Sequence, residues 1–249
     1  MLTEERHSVI VDTVNRKGSV KIGELCEVLH TSESTVRRDL NILSERGRIV
    51  KVHGGAIAVN EQQFTLYESD VSQKSSLFVE EKEAIAKYAA ALIEDGDLVY
   101  IDAGTTTEKM IDYIQAKNVT FVTNAFMNAK KLAQRGFRIF IPGGEIKYTT
   151  EAIVGAECVL SLQSYNFTKC FVGANGISVS GGLSTHEKNE AAVKTTVINL
   201  SREVFILADS SKFDLITAVR FAPLNCGRII TDRLPDKKYR SEAIVEEVL

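Results

Sequence analysis

Two stretches of this chain carry residue types that can do chemistry at the spacing such chemistry needs. The first is Ser32-Glu33-Ser34-Thr35-Val36-Arg37-Arg38, which packs hydroxyls and two guanidinium groups into a short segment. Arg can bond guanine through two donors at once, and Ser or Thr can donate to phosphates or base edges. The second is Asp102-Ala103-Gly104-Thr105-Thr106-Thr107, a glycine and three hydroxyls directly after an apolar run. At a strand-to-helix turn such a sequence offers backbone N–H groups, a favourable dipole and side-chain donors to an oxyanion. It lacks the Lys-Ser/Thr ending of a nucleotide-triphosphate loop, so a single phosphate suits it better.

The first stretch needs a helix to aim it. Val9, Ile10, Thr13 and Val14 form a helical stripe that stops at Lys17-Gly18. Ile22, Leu25, Cys26 and Leu29 share one face of a second helix. His30-Thr31-Ser32 is a short polar connection whose Thr or Ser can cap the next helix. Val36, Leu40 and Leu43 then mark the inner face of a third helix, closed at Gly47. Two short helices so joined are the helix-turn-helix arrangement. With Val36 and Leu40 inward, Ser34, Thr35, Arg37 and Arg38 face out or flank the start of the third helix, where a recognition helix meets the major groove. Beyond it, the run from Arg48 to Gly55 is β-prone and basic, ends in two glycines, and has Val20 as a candidate partner strand. Such a wing would bring Arg48, Lys51 and His53 near the DNA backbone. The candidate DNA-contacting residues are therefore Ser32, Ser34, Thr35, Arg37, Arg38, Arg48, Lys51 and His53, and the expected partner is double-stranded operator DNA. Any one of these features alone would favour a three-helix protein-interaction module with a solvated Arg pair; together they point to DNA.

The second stretch needs a sheet. From about residue 80, Ala84, Ile85, Tyr88, Ala89 and Leu92 give a helical face, and Leu98-Val99-Tyr100-Ile101 is a short apolar strand. The alternation repeats through Phe121-Val122, Ile139-Phe140-Ile141, Phe171-Val172 and Val204-Phe205-Ile206-Leu207. Apolar strands separated by amphipathic helices imply a parallel sheet covered on both faces, an α/β domain. Ligands of such sheets bind beyond the carboxyl ends of the strands. Those ends here read Asp102 to Thr107, Thr123-Asn124, Gly143-Gly144, Gly173-Ala174-Asn175-Gly176 and Asp209-Ser210-Ser211-Lys212. The candidate effector-binding residues are Asp102, Gly104, Thr105, Thr106, Thr107, Asn124, Gly173, Asn175, Lys194 and Lys212, the two lysines as positive charges for a phosphate.

Composition bounds the rest. The chain has 249 residues, 44% apolar and 25% charged, enough for one large or two ordinary domains. A net charge of −3 argues against nucleic acid on its own, and residues 1–60, with nine Lys/Arg against eight Asp/Glu, soften that only slightly. The DNA reading rests on placement. Cys26, Cys158, Cys170 and Cys226 are scattered and read as buried apolar residues; no metal or cofactor is called for. A charged start and the lack of a long apolar run lead us to expect a cytoplasmic protein with no membrane partner. The expected boundaries are 1–57 for the DNA-binding domain, 58–79 for a linker and 80–249 for a sensing and oligomerisation domain. The polar stretch 57–80 reads equally as a connector or as an arm packed on the larger domain.

The run Thr35-Val36-Arg37-Arg38-Asp39-Leu40, with Gly47 and His53-Gly54-Gly55-Ala56 behind it, closely resembles the DeoR family of bacterial repressors. The second half resembles that family's sensor domain through Asp102-x-Gly104-Thr105-Thr106, Thr123-Asn124, Gly143-Gly144, Phe171-x-Gly173 and Asp209-x-Ser211-Lys212-Phe213. The resemblance implies a winged helix-turn-helix with its helix-turn-helix at 20–39, a sensor resembling ribose-5-phosphate isomerase, a homo-oligomer, and release of the operator by a phosphorylated sugar. The segments Cys170 to Ile177 and Gly181 to Thr185 look most like the fructose-operon repressors, which implies fructose 1-phosphate, with tagatose 6-phosphate and other sugar phosphates open. One departure is Thr168, where the family commonly has an acid, with effector choice as one consequence. The rival to a sensor is a sugar-phosphate isomerase. That reaction needs a positioned base, and the loop 173–176 that aligns with the isomerases' acids has none, which leaves Asp102 and Asp209 and points away from an enzyme.

Overall fold

The computed structural model describes residues 3–46, 48–52, 54–58, 63–65 and 71–249, with no account of the side chains of Arg16, Ala58, Gln63, Phe64 and Ser72. The chain divides into two compact units, Met1–Gln63 and Phe64–Leu249.

The first unit runs α1 (Thr3–Lys17), β1 (Ser19–Lys21), α2 (Ile22–Leu29), α3 (Glu33–Glu45), β2 (Ile49–Val52) and β3 (Gly55–Ala58). The apolar stripes read from the sequence close on one another: Ile10 and Val14, Leu25 and Leu29, Val36 and Leu40 are all buried in one cluster. Gly18, at φ +74, ends α1, and His30, at φ 48, turns the chain between α2 and α3. Gly47 and His53 lie outside the described residues. The wing differs from expectation in its pairing. β1 pairs with β3, not with β2, giving the order β1-β3-β2, so Gly54-Gly55 opens a third strand instead of ending the second. Gly55 is needed there because a Cβ on it would stand 2.2 Å from the Val20 carbonyl oxygen.

A carboxylate fixes α3 against α1. Asp39 is 2% exposed and accepts from Arg6 Nε at 2.5 Å and Nη2 at 3.1 Å, with His7 Nε2 3.1 Å away. Burial alone would push its carboxyl up, but the Arg6 and His7 contacts outweigh that and hold it below the usual carboxylate range.

In the second unit a short strand β4 (Gln63–Thr65) and helix α4 (Val71–Ser76) precede α5 (Val79–Ala91). Next come β5 (Leu98–Ile101), α6 (Thr105–Met110), β6 (Thr120–Thr123), α7 (Phe126–Gln134) and β7 (Arg138–Phe140). A hairpin of β8 (Glu145–Lys147) and β9 (Ala152–Val154) leads to α8 (Ala156–Leu162) and β10 (Phe167–Gly173). The chain ends with β11 (Gly176–Ser178), β12 (Gly182–Thr185), α9 (Lys188–Asn199), β13 (Ser201–Leu207), β14 (Leu215–Thr217), β15 (Val219–Ala222), β16 (Arg228–Thr231) and β17 (Ile244–Glu247).

Seven strands form one parallel sheet in the order β17-β16-β13-β10-β5-β6-β7. Successive residues bury to opposite faces: Tyr100, Cys170 and Ile206 enter one core cluster, Ile101, Phe171 and Phe205 the other. That is why these strands read as unbroken apolar runs. The chain moves one way from β5 through β6 and β7, and the other way from β10 outward, so the order reverses between β5 and β10. Ligands of open α/β sheets lie at such a reversal.

Three expectations are corrected here. The buried face of α5 is Lys82, Ile85, Ala86, Ala89 and Ala90, while Tyr88 is exposed; small residues at i, i+3, i+4 let the helix sit close to the sheet. The sequence reading also passed over β16, β17 and the small antiparallel sheet β11-β12-β15. Gly143-Gly144 follows β7 but does not line the cavity with the other strand ends; it opens the β8–β9 hairpin, where a Cβ on Gly144 would stand 2.6 Å from the Val154 carbonyl oxygen.

Replacing Asp39 by Ala strands Arg6 and should cost the DNA-binding unit about 1–3 kcal/mol, the range for losing a bond to a charged group at a partly exposed partner. Because the folded-state pKa of Asp39 is depressed, the contribution is present above the unfolded carboxylate's pKa and is lost as pH falls through the folded value. Denaturant melts of wild type and Asp39→Ala at pH 7 and pH 3 measure both, and equal stabilities at pH 7 would contradict the assignment.

Candidate functional site

On α3 the exposed face presents Ser34, Arg37, Arg38 and Asn41. Ser32 is the N-cap, and its hydroxyl is taken up within the helix start: it accepts from Thr35 N at 3.4 Å and sits 2.9 Å from the Ser34 and 3.0 Å from the Thr35 hydroxyl. Thr35 is half-buried. Arg37 pairs with Glu33 at 2.7 Å, an exposed i,i+4 contact that a DNA phosphate can replace at little cost. Arg48 and Lys51 are exposed on the wing, and Lys51 Nζ donates to Asn41 Oδ1 at 2.5 Å. His53 lies outside the described residues. Asn41 was missed in the sequence, although its spacing of three from Arg38 and four from Arg37 puts it on the same face. Replacing Arg38 by Ala should weaken operator binding by roughly 1–3 kcal/mol, and Lys51→Ala should lower the salt slope of binding by about one. Fluorescence anisotropy across a salt series reads both, and an Arg38→Ala protein that binds like wild type removes that residue from the interface.

The larger unit holds a cavity of about 210 Å³ at the sheet's reversal point. Every candidate effector residue lines it: Asp102, Gly104, Thr105, Thr106, Thr107, Asn124, Gly173, Asn175, Lys194 and Lys212. They play different parts. Asp102, 2% exposed, accepts from Gly173 N at 3.0 Å and is paired with Lys194, whose ammonium also donates to the Gly173 carbonyl at 3.0 Å. The pair thus stitches the end of β5 to the end of β10 and to α9. Burial holds the Asp102 carboxyl above the usual range, with Lys194 and the Gly173 N–H acting against it. Thr107 Oγ1 donates to the Asp102 and Gly104 carbonyls at 2.7 and 2.8 Å, and so tightens the turn. Asn124 accepts from Ala103 N and donates to the Ile153 carbonyl, both at 3.1 Å, joining the turn to β9. Lys194, expected as a positive charge for a phosphate, is thus taken up by Asp102 and the Gly173 carbonyl. Thr105 and Thr106 begin α6, where the first N–H groups have no partner inside the helix.

The far wall was missed in the sequence. Glu190, 7% exposed, accepts from Lys147 at 3.1 Å, from Thr150 at 2.8 Å and from Thr185 at 2.9 Å, and Thr185 also donates to Asn175 at 2.9 Å. Burial pushes this carboxyl up, but the lysine charges and the hydroxyl bonds prevail and keep it below the usual range. It is a third acid at the cavity beside Asp102 and Asp209. Asp209 spends one oxygen on Ser211 N at 3.1 Å. The connector contributes too: Thr65, Lys74, Leu77 and Phe78 line the same space, which favours the packed-arm alternative for that stretch. Lys82 is the remaining cation of the wall. Thr168, by contrast, bonds the Leu98 backbone at the opposite end of the sheet, so its identity does not touch the cavity.

Among the described residues no group of His, Cys, Asp and Glu could hold a metal ion, and no helix is long and apolar enough to cross a membrane. Residues 6–62 match the DeoR-like helix-turn-helix domain and residues 77–233 the DeoR C terminal sensor domain. The chain belongs to the DeoR family. This DeoR-family transcriptional repressor is 38% identical to the "uncharacterized HTH-type transcriptional regulator FruR" of Bacillus subtilis, over 100% of this chain and 99% of that one. It is 35% identical to the lactose phosphotransferase system repressor of Staphylococcus epidermidis over 98% of each. Among solved structures it is similar to a ribose-5-phosphate isomerase in complex with phospho-erythronic acid (TM-score 0.42, 15% identity, 54% of each chain). It is also similar to the full-length sorbitol operon regulator SorC from Klebsiella pneumoniae (TM-score 0.40, 13% identity, 78% of this chain and 85% of that one).

The Asp102–Lys194 pair gives a double-mutant test. Lys194→Met leaves a buried carboxylate without its partner and should cost about 3–5 kcal/mol, most of which Asp102→Asn in the same chain should restore. Equal stability of the single variant and wild type in urea melts would show that the pair is not closed in solution.

Proposed function

We propose that this repressor controls a sugar-utilisation operon, fructose being the sugar its sequence suits best, and leaves its operator when a sugar phosphate such as fructose 1-phosphate fills the cavity. The supporting observation is the cavity's two-ended chemistry. One end gathers the free N–H groups and hydroxyls of Thr105 and Thr106 with the lysines 82 and 212; the other carries Glu190, Thr150 and Asn175, with Glu190 and Asn175 linked through the buried Thr185. The first end suits a phosphoryl group and the second suits sugar hydroxyls, which carboxylates and amides read well. The lactose phosphotransferase system repressor among its relatives is consistent with a sugar signal.

In this reading the protein binds and does not turn over its ligand. A carboxylate held below its ordinary range by two lysines and two hydroxyls, as Glu190 is, makes a weak proton acceptor, and Asp102 is locked in its ion pair. The repressor acts as a symmetric oligomer that presents paired α3 helices to the two half-sites of its operator. The ligand favours an arrangement in which they no longer match, and must bind that arrangement more tightly to do so. Release of operator DNA by fructose 1-phosphate, and not by fructose, is the expected result in an anisotropy titration. A Thr106→Glu protein, with a carboxylate placed where the phosphate would go, should hold DNA and ignore the ligand. Undiminished operator binding with every sugar phosphate of a panel would overturn the reading.

A further inference from the structure

The buried stripe of α5 begins with a lysine. Lys82 lies one turn before Ile85 and Ala86 on the face that packs against the sheet, and it is only 3% exposed. Its ammonium reaches the cavity wall and donates to the carbonyl of Lys74 on α4. Among the described residues no carboxylate pairs with it. Of the charges that act on it, Asp209 after β13 is opposite, while Lys212 beside it, Lys109 on α6 and Lys74 on α4 are like charges. Two cations of the cavity wall, Lys82 and Lys212, thus stand near one opposing carboxylate, Asp209, which itself is bonded to the Ser211 backbone. Such an excess is costly unless an anion joins it.

Resting on the sugar-phosphate reading of the cavity, we propose that Lys82, together with Lys212, holds the anionic group of the ligand, and that the ammonium so held fastens α4 through the Lys74 carbonyl. An ammonium has three donors, so it can bond that carbonyl and still offer two to an oxyanion. A charged donor also makes the stronger bond, so an anion that keeps Lys82 protonated tightens its hold on α4. The helix that precedes the sheet in the chain thereby becomes part of the bound state.

The empty cavity sets the sign of the pH dependence. Burial first, then the like charges of Lys212, Lys109 and Lys74, bring the Lys82 amine down to about 8. A bound anion favours the ammonium and moves its pKa up, so binding takes up a proton above that pH. The phosphate's own second ionisation, near 6, lies well below. Affinity should be nearly level between these values, then weaken by up to about tenfold per pH unit above 8 until the bound-state pKa is reached.

The test is calorimetric titration of the full chain with fructose 1-phosphate at pH 7 and 9.5, in buffers of different ionisation enthalpy, with hydrogen exchange followed at residues 71–78. Wild type should take up a proton at the higher pH, bind at least several-fold more weakly there, and exchange more slowly at 71–78 when occupied. Lys82→Arg, whose charge is fixed, should bind equally at both pH values. Lys82→Met should bind at least tenfold more weakly at pH 7 and lose the protection of 71–78. Wild-type affinity that is level across the range with no proton taken up, or Lys82→Met affinity equal to wild type, would overturn the proposal, and the first measurement needs no variant to fold. Inorganic phosphate is the second probe. Should it bind in the same Lys82-dependent way while every sugar phosphate fails, the sugar reading falls and this inference stands; should neither bind, both fall.

Discussion

A carboxylate taken out of water has to be answered by a cation, and in this molecule that requirement joins three elements far apart in sequence. Asp102 follows β5, Gly173 ends β10 and Lys194 projects from α9, and one bonded cluster ties them at the place where the parallel sheet reverses its order. The reversal opens a crevice beyond the carboxyl ends of the strands. The cluster closes its floor, and the Thr107 and Asn124 bonds hold the neighbouring turn and β9 to it. These bonds give the cavity a fixed shape.

Charge is distributed unevenly around that floor. Lys194 is neutralised by Asp102, and Lys147 by Glu190, so neither contributes net attraction. The surplus sits at the other end, with Lys82 and Lys212 near the start of α6. An anion is favoured there for a Coulombic reason, strengthened by the burial of Lys82. The DNA-binding unit solves the opposite problem. Its charges nearly cancel, yet Asp39 and Arg6 face each other in the interior, which leaves Arg37, Arg38, Arg48 and Lys51 on the outside. Burying Asp39 against Arg6 removes one charge of each sign and turns the α3 carboxylate away from the face that carries the two arginines.

Much of this was legible from residue order, and the misses are instructive. The three helical stripes of the first unit were read correctly because each keeps one helical period. The wing pairing was not, since strand partners depend on where backbones meet, as Gly55 against Val20 shows. On α5 the reading favoured the large Tyr88 over small alanines, and the rotated face hid Lys82. Glu190 escaped because two of its partners, Lys147 and Thr150, come from a hairpin 43 and 40 residues away in the chain.

By itself the sequence determined the elements, the parallel sheet and the strand-end turn of glycine and hydroxyls, because these arise from local period and local backbone chemistry. Only the tertiary structure decided which polar groups spend themselves on one another and which remain for a ligand. Lysines 194 and 212 look alike in the chain; one is locked to Asp102 and the other is not. That difference is set by distance in space and by loss of water, and neither is written in the spacing of residues.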